Sequence, residues 1–138
     1  MIDSFTGEYS FLSNFYLCHV RYLSISYRSA EHAYQAAKTN KISERKKIRQ
    51  AATPFLAKKL GQQITLRKDW DTTRVAVMRA IVRFKFERNP KLRKKLLATE
   101  DEGLVEGNWW NDTFWGICHG KGENHLGRIL MQVRKELQ

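Results

Sequence analysis

Helix-start signals recur after residue 28 and constrain the fold more than any other feature of the chain. Ser29 precedes one apolar-periodic segment, and Thr53 followed by Pro54 precedes another. A Ser or Thr side chain accepts a hydrogen bond from the free N–H groups of a first turn, and proline suits the first helical position. Asn89 and Pro90 give a similar signal further along. The spacing predicts a succession of short helices.

Three further residues predict helix boundaries. Ser43 is expected to cap the segment ERKKIRQAA, and Asp71 precedes a longer apolar-periodic segment. Gly61 is expected to end the third of these helices in the left-handed conformation that glycine tolerates best.

Apolar residues repeat with helical spacing in the second half of the chain, and each repeat predicts one buried helix face. Leu92 and Leu96 mark one such face. The longer stripes are Val75, Met78, Val82 and Phe86, and then Leu126, Ile129, Leu130, Val133 and Leu137. LSISY at 23–27 alternates apolar and polar residues, as a half-buried strand does. We expect a single, mainly α domain over residues 1–138, with about six helices and a small N-terminal β hairpin.

The chain is strongly basic, with 25 Lys and Arg against 14 Asp and Glu and a net charge of +11. Residues 41–49 carry five bases and one acid, and residues 83–95 carry seven bases and one acid. Such an excess favours polyanionic partners, either nucleic acid or phosphorylated small molecules. Solvated helix faces explain the same charge, and composition does not decide between these interpretations.

Cysteine usage and the N-terminal residues point to a cytoplasmic protein. Cys18 and Cys118 do not form a disulfide framework, and no secretion signal or membrane span is expected. Each cysteine precedes a histidine, but these pairs lack the spacing of structural zinc ligands. We therefore expect neither a metal nor a cofactor.

The segment at 30–40 carries a chemically varied helix face. Glu31, Tyr34, Gln35 and Lys38 stand at i, i+3, i+4 and i+7, so they line up along one side. Alanines occupy the other side and permit close packing. An acid, a phenol, an amide and an amine together form a possible catalytic face. The alternative is that Glu31 and Lys38 only complement the helix dipole at either end.

The segment GNWWNDTFWG at 107–116 combines three tryptophans with turn-forming residues, inside a long irregular stretch at 99–124. Long irregular segments in compact domains are commonly functional. Flat indole faces suit a nucleobase, and the amide and carboxyl groups suit a sugar or a base edge. We expect at least one of the three tryptophans to belong to the core instead.

Five blocks in order resemble the NADAR, or YbiA-like, family over almost the whole chain. They are GEYSFLSNFY at 7–16, SAEHAYQAAK at 29–38, VMRAIVRFKFERNPKLRKKLLAT at 77–99, LVEGNWWNDTFWG at 104–116 and GKGENHLGRILMQVR at 120–134. The resemblance implies a mostly helical N-glycosidase that cleaves a ribosyl C1–N bond. The residues YRSA before Glu31 depart from the common family pattern, which bears on substrate choice more than on reaction type.

The resemblance also implies roles for particular residues. Lys38 closes the E-H-x-x-Q-x-x-K block and corresponds to a lysine that attacks the ribose C1 carbon and forms a Schiff base. Glu31 could protonate the departing base, and Asp112 is a further catalytic candidate. The expected substrate contacts are Asn14, Phe15, Tyr34, Gln35, Glu106, Trp109, Trp115, Gly116 and Asn124, although Asn124 could instead cap the last helix.

The implied substrate is a phosphorylated ribosyl or ADP-ribosyl compound. It is either guanine bearing ADP-ribose, with nucleic acid as a possible carrier, or a ribosylamino-pyrimidine phosphate of riboflavin biosynthesis. The net positive charge of the chain favours guanine bearing ADP-ribose. A non-catalytic module that binds ADP-ribose or nucleic acid is the main alternative, and the oligomeric state is left open.

Overall fold

The computed structural model describes all 138 residues. The α-helices are α1 (Ala30–Ala37), α2 (Ile42–Arg49), α3 (Pro54–Gly61), α4 (Trp70–Glu87), α5 (Pro90–Leu97) and α6 (His125–Glu136). A 3₁₀ helix covers Gly7–Leu12, and β1 (Leu17–Tyr22) and β2 (Ile25–Ser29) form an antiparallel hairpin. Two short strands, β3 (Gly107–Asn108) and β4 (Ile117–Cys118), pair in parallel. The predicted mainly helical fold with an N-terminal hairpin is confirmed.

Backbone proximity divides the chain into two compact units. The hairpin unit is Asn14–Lys85 and contains β1, β2, α1, α2, α3 and most of α4. The loop unit is Met1–Ser13 together with Phe86–Gln138 and contains the 3₁₀ helix, α5, β3, β4 and α6. Ile2 joins the two parts of the loop unit, because its N–H donates to the Gly103 carbonyl at 2.8 Å.

Two of the predicted helix caps are confirmed in detail, and three boundary predictions are wrong. Asp71, expected just before its helix, lies within α4, which begins at Trp70. The Ser29 hydroxyl accepts from the His32 N–H at 3.1 Å, and the Thr53 hydroxyl accepts from the Leu56 N–H at 3.1 Å. Ser43 is not a cap, because α2 already begins at Ile42. Gly61 is the last residue of α3 and is followed by a right-handed residue, so it has no left-handed capping role.

The hairpin turn lies where the sequence pattern predicted the start of a strand. β2 begins at Ile25, and the two preceding residues, Leu23 and Ser24, have φ angles of 48° and 68°. Two consecutive left-handed residues are the signature of a tight type I′ turn, whose twist matches that of the flanking strands. Alternation of polarity marked β2 but could not mark this boundary.

The predicted apolar stripes are largely confirmed. All five residues of the last stripe, four in α6 and Leu137 just after it, are buried, as are Leu92 and Leu96 of α5. In α4, Met78, Val82 and Phe86 are buried but Val75 is only partly so. No helix is both long enough and apolar enough to cross a bilayer.

Helix α1 lies at the centre of the hairpin unit. All eight of its residues are buried, and it contacts β1, β2, α2 and α3. Ala33 and Ala36 have no exposed surface. Small side chains allow neighbouring backbones to approach closely, which explains how so many elements pack around one short helix.

A lysine is sealed inside the hairpin unit. Lys85 of α4 is only 1% exposed, and its ammonium nitrogen lies 5.8 Å from the centre of the Tyr16 ring. Burial lowers the pKa of Lys85 to about 8, and nearby Cys18 opposes this shift. Burial also raises the pKa of the Cys18 thiol, against the influence of Lys85. Both groups are therefore biased towards their neutral forms.

Replacing Lys85 should change how stability depends on pH. Between about pH 8 and 10 the unfolded lysine still binds a proton that folded Lys85, with its pKa of about 8, has lost, so raising the pH stabilises the wild type. Lys85→Met abolishes this gain. Urea denaturation gives the unfolding free energy of each protein. From pH 7 to pH 10, the value for the wild type should rise by roughly 2–3 kcal/mol relative to that for Lys85→Met. Lys47→Met controls for the lost charge, and a pH-independent difference would contradict the assignment.

Candidate active site

The polar residues of α1 are buried along with its alanines. Glu31, Tyr34 and Gln35 are 7%, 5% and 4% exposed, and Lys38, immediately after the helix, is half-buried. These residues occupy the spacing that the sequence predicted for one helix face. Interior polar groups need partners, so the contacts of each one indicate its role.

Gln35 holds Glu31 in place. The Gln35 Nε2 donates to Glu31 Oε1 at 2.7 Å, while Gln35 Oε1 is buried and has no hydrogen-bond partner. This oxygen lies against Gly61 of α3, where a Cβ atom would be only 1.9 Å away. The close approach of α3 thus fixes the amide and, through it, the carboxylate. The geometry gives Gln35 a supporting role for Glu31, and its predicted contact with substrate stays a prediction.

Asn14 lies beside the first turn of α1. Its carbonyl accepts from the Glu31 N–H at 3.0 Å, and its Nδ2 contacts the Met78 sulfur at 3.5 Å. The side-chain Oδ1 is buried without a partner. A buried amide oxygen without a donor is rare in native proteins, so Asn14 retains an unused acceptor in the residue that adjoins the first turn of α1. Phe15, the next predicted contact, is 39% exposed.

Trp70 is a site neighbour that the sequence analysis missed. Its ring centre lies 5.2 Å from that of Tyr34 at an interplanar angle of 53°, and Trp70 is only 4% exposed. The indole therefore walls one side of the polar face of α1. The available signal was its place one turn ahead of the α4 stripe, eight residues before Met78.

Lys38 combines an amine with partial burial. Its Nζ lies 5.5 Å from the centre of the Tyr34 ring. Burial is the main cause that lowers the pKa of Lys38; the Glu31 charge raises it, and the charges of Lys58 and Arg74 lower it. The net effect increases the fraction of neutral amine, which is the nucleophilic form. Amine and carboxylate together can supply a nucleophile and a proton donor or acceptor.

His32 of the same sequence block has a structural role. It has no exposed surface, its Nδ1 lies 2.7 Å from the Ser29 hydroxyl, and its Nε2 donates to the Ala51 carbonyl at 3.0 Å. Burial lowers the pKa of His32. The neutral ring therefore ties α1 to the segment between α2 and α3.

In the loop unit, the Asp112 carboxylate organises the backbone. One oxygen accepts from the N–H groups of Phe114 and Trp115 at 3.2 and 2.9 Å. This is the familiar turn in which an aspartate replaces a backbone acceptor. These contacts explain why an acid stands among the aromatic residues, and a catalytic role for Asp112 stays a prediction.

Two asparagines complete the framework of the loop. Asn124 Oδ1 accepts from the Glu106 N–H, and its Nδ2 donates to the Leu104 carbonyl, both at 3.0 Å. The Asn124 side chain thus bridges two backbone groups and does not cap α6, and its predicted contact with substrate stays a prediction. Asn108 Nδ2 donates to the Glu106 carboxylate at 3.1 Å. Gly116 lies against that same carboxylate, where a Cβ atom would be 1.9 Å from Oε2.

The three loop tryptophans differ in exposure, and none is buried. Trp109 and Trp110 are 79% and 45% exposed and meet edge to face at 5.5 Å. Trp115 is partly buried and meets Phe114 edge to face at 4.8 Å. The expectation that one of the three belongs to the core is wrong, because Trp109 and Trp110 are exposed and Trp115 is only partly buried. The buried tryptophan is Trp70.

The predicted site residues therefore fall into two groups, each described within its own unit. The hairpin unit brings together Asn14, Phe15, Glu31, Tyr34, Gln35 and Lys38, and the loop unit holds Glu106, Trp109, Asp112, Trp115, Gly116 and Asn124. No cluster of three or more His, Cys, Asp or Glu side chains could hold a metal ion.

Comparison with known proteins gives consistent matches. A model of the NADAR domain matches residues 3–138. The N-glycosidase YbiA of Escherichia coli is 37% identical over 137 residues, covering 97% of this chain and 85% of that protein. An N-glycosidase of Nostoc punctiforme is 40% identical over 136 residues, covering 94% of this chain and 86% of that protein.

A riboflavin biosynthesis protein of Vibrio vulnificus is 43% identical over 134 residues, covering 95% of this chain. The chain spans only 36% of the length of that protein. The solved NMR structure of Escherichia coli YbiA matches with a TM-score of 0.88 at 36% identity, covering 99% of this chain and 84% of that one. The fold described above is therefore shared with a solved structure over essentially the whole chain.

Enlarging Gly61 should disturb Glu31 through Gln35. In Gly61→Ala the new methyl group meets Gln35 Oε1 at 1.9 Å, so either the amide or α3 must move. We expect a loss of about 1–3 kcal/mol in unfolding free energy, measured by urea denaturation. Gly103→Ala is the matched control, because its Cβ would meet only Met1 atoms at 3.6 Å or more. Equal effects of the two substitutions would contradict the close contact.

Proposed function

This chain belongs to the NADAR family, and from that membership and the geometry of α1 we propose that it is an N-glycosidase that hydrolyses a ribosyl C1–N bond. The relatives named N-glycosidase match over most of their length as well as most of this chain. The single observation that carries the mechanism is Lys38, a half-buried amine whose pKa is lowered, immediately after the helix that carries buried Glu31.

In the proposed reaction the neutral Lys38 amine attacks the ribose C1 carbon. The bond between C1 and the base nitrogen breaks, and the base leaves with a proton supplied by Glu31, directly or through water. The nitrogen then returns one proton to Glu31, and the sugar ring opens as the ring oxygen takes the second, which gives an imine between C1 and the lysine nitrogen. Water then hydrolyses the imine, which releases the sugar and regenerates the amine. The two side chains supply the nucleophile and the acid, so the scheme needs no cofactor.

The environment of α1 favours this chemistry. Gln35 orients the Glu31 carboxylate by a 2.7 Å hydrogen bond, and Tyr34 and Trp70 exclude water from one side. Fixed groups in a dry setting stabilise developing charge more strongly than the same groups in water. Asn14 adds a buried amide oxygen that could accept a hydrogen bond from a sugar hydroxyl.

Two substrates fit the proposal. ADP-ribose attached to guanine, in nucleic acid or in nucleotides, agrees with the net charge of +11. A ribosylamino-pyrimidine phosphate agrees with the name of the Vibrio relative, a riboflavin biosynthesis protein. We favour ADP-ribosyl-guanine, because its pyrophosphate gives the basic chain more to attract. We also propose that the protein acts in the cytoplasm.

The loop unit supports a second, non-catalytic candidate. Trp109 and Trp110 expose indole surface that could stack on a base, which is worth roughly 1–3 kcal/mol per base. A module that only binds ADP-ribose or nucleic acid would use these rings without needing a neutral Lys38. Both proposals, the N-glycosidase and the binding module, include contacts of the loop unit with the ligand. The residues concerned are Glu106, Trp109, Trp115 and Gly116.

Trapping with borohydride should distinguish the enzyme from the binding module. DNA with ADP-ribosylated guanine is incubated with the protein, borohydride is added, and the mass of the intact protein is measured by mass spectrometry. The wild type should gain the mass of one reduced ADP-ribose-bearing adduct, because borohydride reduces the imine to a stable amine. Lys38→Ala should show no adduct and lose at least about 100-fold in base release.

Lys41→Ala is the control for the trapping experiment, since this exposed lysine follows Lys38 by three residues and should retain both the adduct and the activity. Base release without an adduct in the wild type would remove Lys38 as nucleophile. No release from either proposed substrate, with binding intact, would favour the non-catalytic module.

The pH dependence of the reaction should respond to Lys58. Its positive charge lowers the pKa of Lys38, so Lys58→Met raises that pKa and reduces the neutral amine at any given pH. The rising limb of the profile of kcat/KM against pH should move to higher pH. Lys59→Met is the matched control on the same helix, and it should leave the limb in place. If the pH profile of kcat/KM is the same in Lys58→Met as in the wild type, neutral Lys38 does not take part in the rate-limiting step.

A further inference from the structure

A cavity of about 660 Å³ opens on the hairpin, beside the C-terminal end of α2. Its wall includes Leu17 and Cys18 of β1, Tyr27 and Arg28 of β2, and Arg49 of α2. The proposed glycosidase reaction uses none of these residues. The volume lies within the range of about 300–1,000 Å³ that is typical of small-molecule sites.

All the charged residues that line this cavity are basic. Arg28 and Arg49 contribute guanidinium groups, and no Asp or Glu belongs to the lining. The positive charge of Arg45 adds to that of Arg49 at the Tyr27 hydroxyl, where both oppose the rise in the pKa of Tyr27 that burial causes. Neither Arg28 nor Arg49 forms an ion pair within the protein. The cavity therefore favours an anion.

Both guanidinium groups are held by backbone carbonyls. Arg49 Nε donates to the Ser26 carbonyl at 2.8 Å, and Arg28 Nη2 donates to the Ala51 carbonyl at 2.8 Å. Arginine has five N–H donors, so each group retains several after these contacts. A side chain already fixed loses less conformational entropy when it binds a ligand. The arrangement suits the paired oxygens of a phosphate.

Much of the remaining wall is apolar. Leu17 is 64% exposed although it lies in a strand, and the Tyr27 ring is buried behind the cavity. Inorganic phosphate alone would not use these surfaces. A ligand that joins an anion to a flat ring would fill both the cationic and the apolar parts.

We propose that this cavity is a second binding site, for a nucleoside phosphate, with the phosphate on Arg28 and Arg49 and the base against the exposed Leu17 side chain. The phosphate and base belong either to a free mononucleotide or to one residue of a single strand, since the recognised chemistry is the same. The site is separate from the residues of the glycosidase mechanism, so its occupancy can be measured without catalysis.

Arg49 offers the cleaner substitution for a test. The Ala51 carbonyl that binds Arg28 also accepts from buried His32, so changing Arg28 could disturb α1. We would titrate the wild type, Arg49→Gln and Lys47→Gln with adenosine 5′-monophosphate by calorimetry. Lys47 is the matched control, because it carries the same charge on the same helix but does not line the cavity.

We expect Arg49→Gln to weaken nucleotide binding at least about fivefold and Lys47→Gln to change it less than twofold. Adenosine and inorganic phosphate alone should each bind more weakly than the nucleotide, since each would fill only one part of the cavity. Equal effects of the two substitutions, or equal affinity for phosphate and nucleotide, would overturn the proposal.

Cys18 provides a second readout on the unaltered protein. Cys18 lines the cavity and is partly exposed, whereas Cys118 is 3% exposed. Alkylation of Cys18 by iodoacetamide is measured by mass spectrometry. Bound nucleotide should slow it at least about fivefold. Protection by the mononucleotide assigns a free nucleotide, and protection only by an unmodified single-stranded oligonucleotide assigns a strand. No protection by either at saturating concentration would overturn the proposal.

Discussion

The close packing of α1 is the constraint on which the hairpin unit depends. Four alanines let β1, β2, α2 and α3 approach one short helix, so its polar side chains are enclosed with the apolar ones. Enclosed polar groups must find partners inside the protein. The Glu31 carboxylate accepts a hydrogen bond from Gln35. The Gln35 side chain fits only because α3 has a glycine, Gly61, at the point of contact. Packing and site geometry therefore have a common cause.

Burial has different consequences for Lys38 and Lys85, two of the lysines of this unit. Lys85 is sealed, and its neighbours are Tyr16 and Cys18, so its lowered pKa concerns stability. Lys38 stands just beyond the end of α1, partly open and within the influence of Glu31. A nucleophile needs both a neutral amine and access to solute, and Lys38 alone combines them. This contrast is the physical reason for assigning the reaction to Lys38.

The loop unit uses its polar residues to build a framework. Asp112, Asn108 and Asn124 bond to backbone groups or to Glu106, which fixes the course of the chain without regular secondary structure. The tryptophans are consequently available at the surface and not required for the core. The hairpin cavity is organised in the same way, because Arg28 and Arg49 are fixed by carbonyls and retain further N–H donors in its wall.

The sequence by itself determined the number of helices, most of their starts and the apolar faces of α5 and α6, because caps and periodicity act within a few residues of one another. It also indicated the family, through five ordered blocks, and the polar face of α1. Only the tertiary structure decided that Trp70 walls this face, that Gln35 supports Glu31 and that Gly61 makes room for the amide. Those contacts join residues far apart in the chain, and local pattern carries no information about which distant side chain fills a given space.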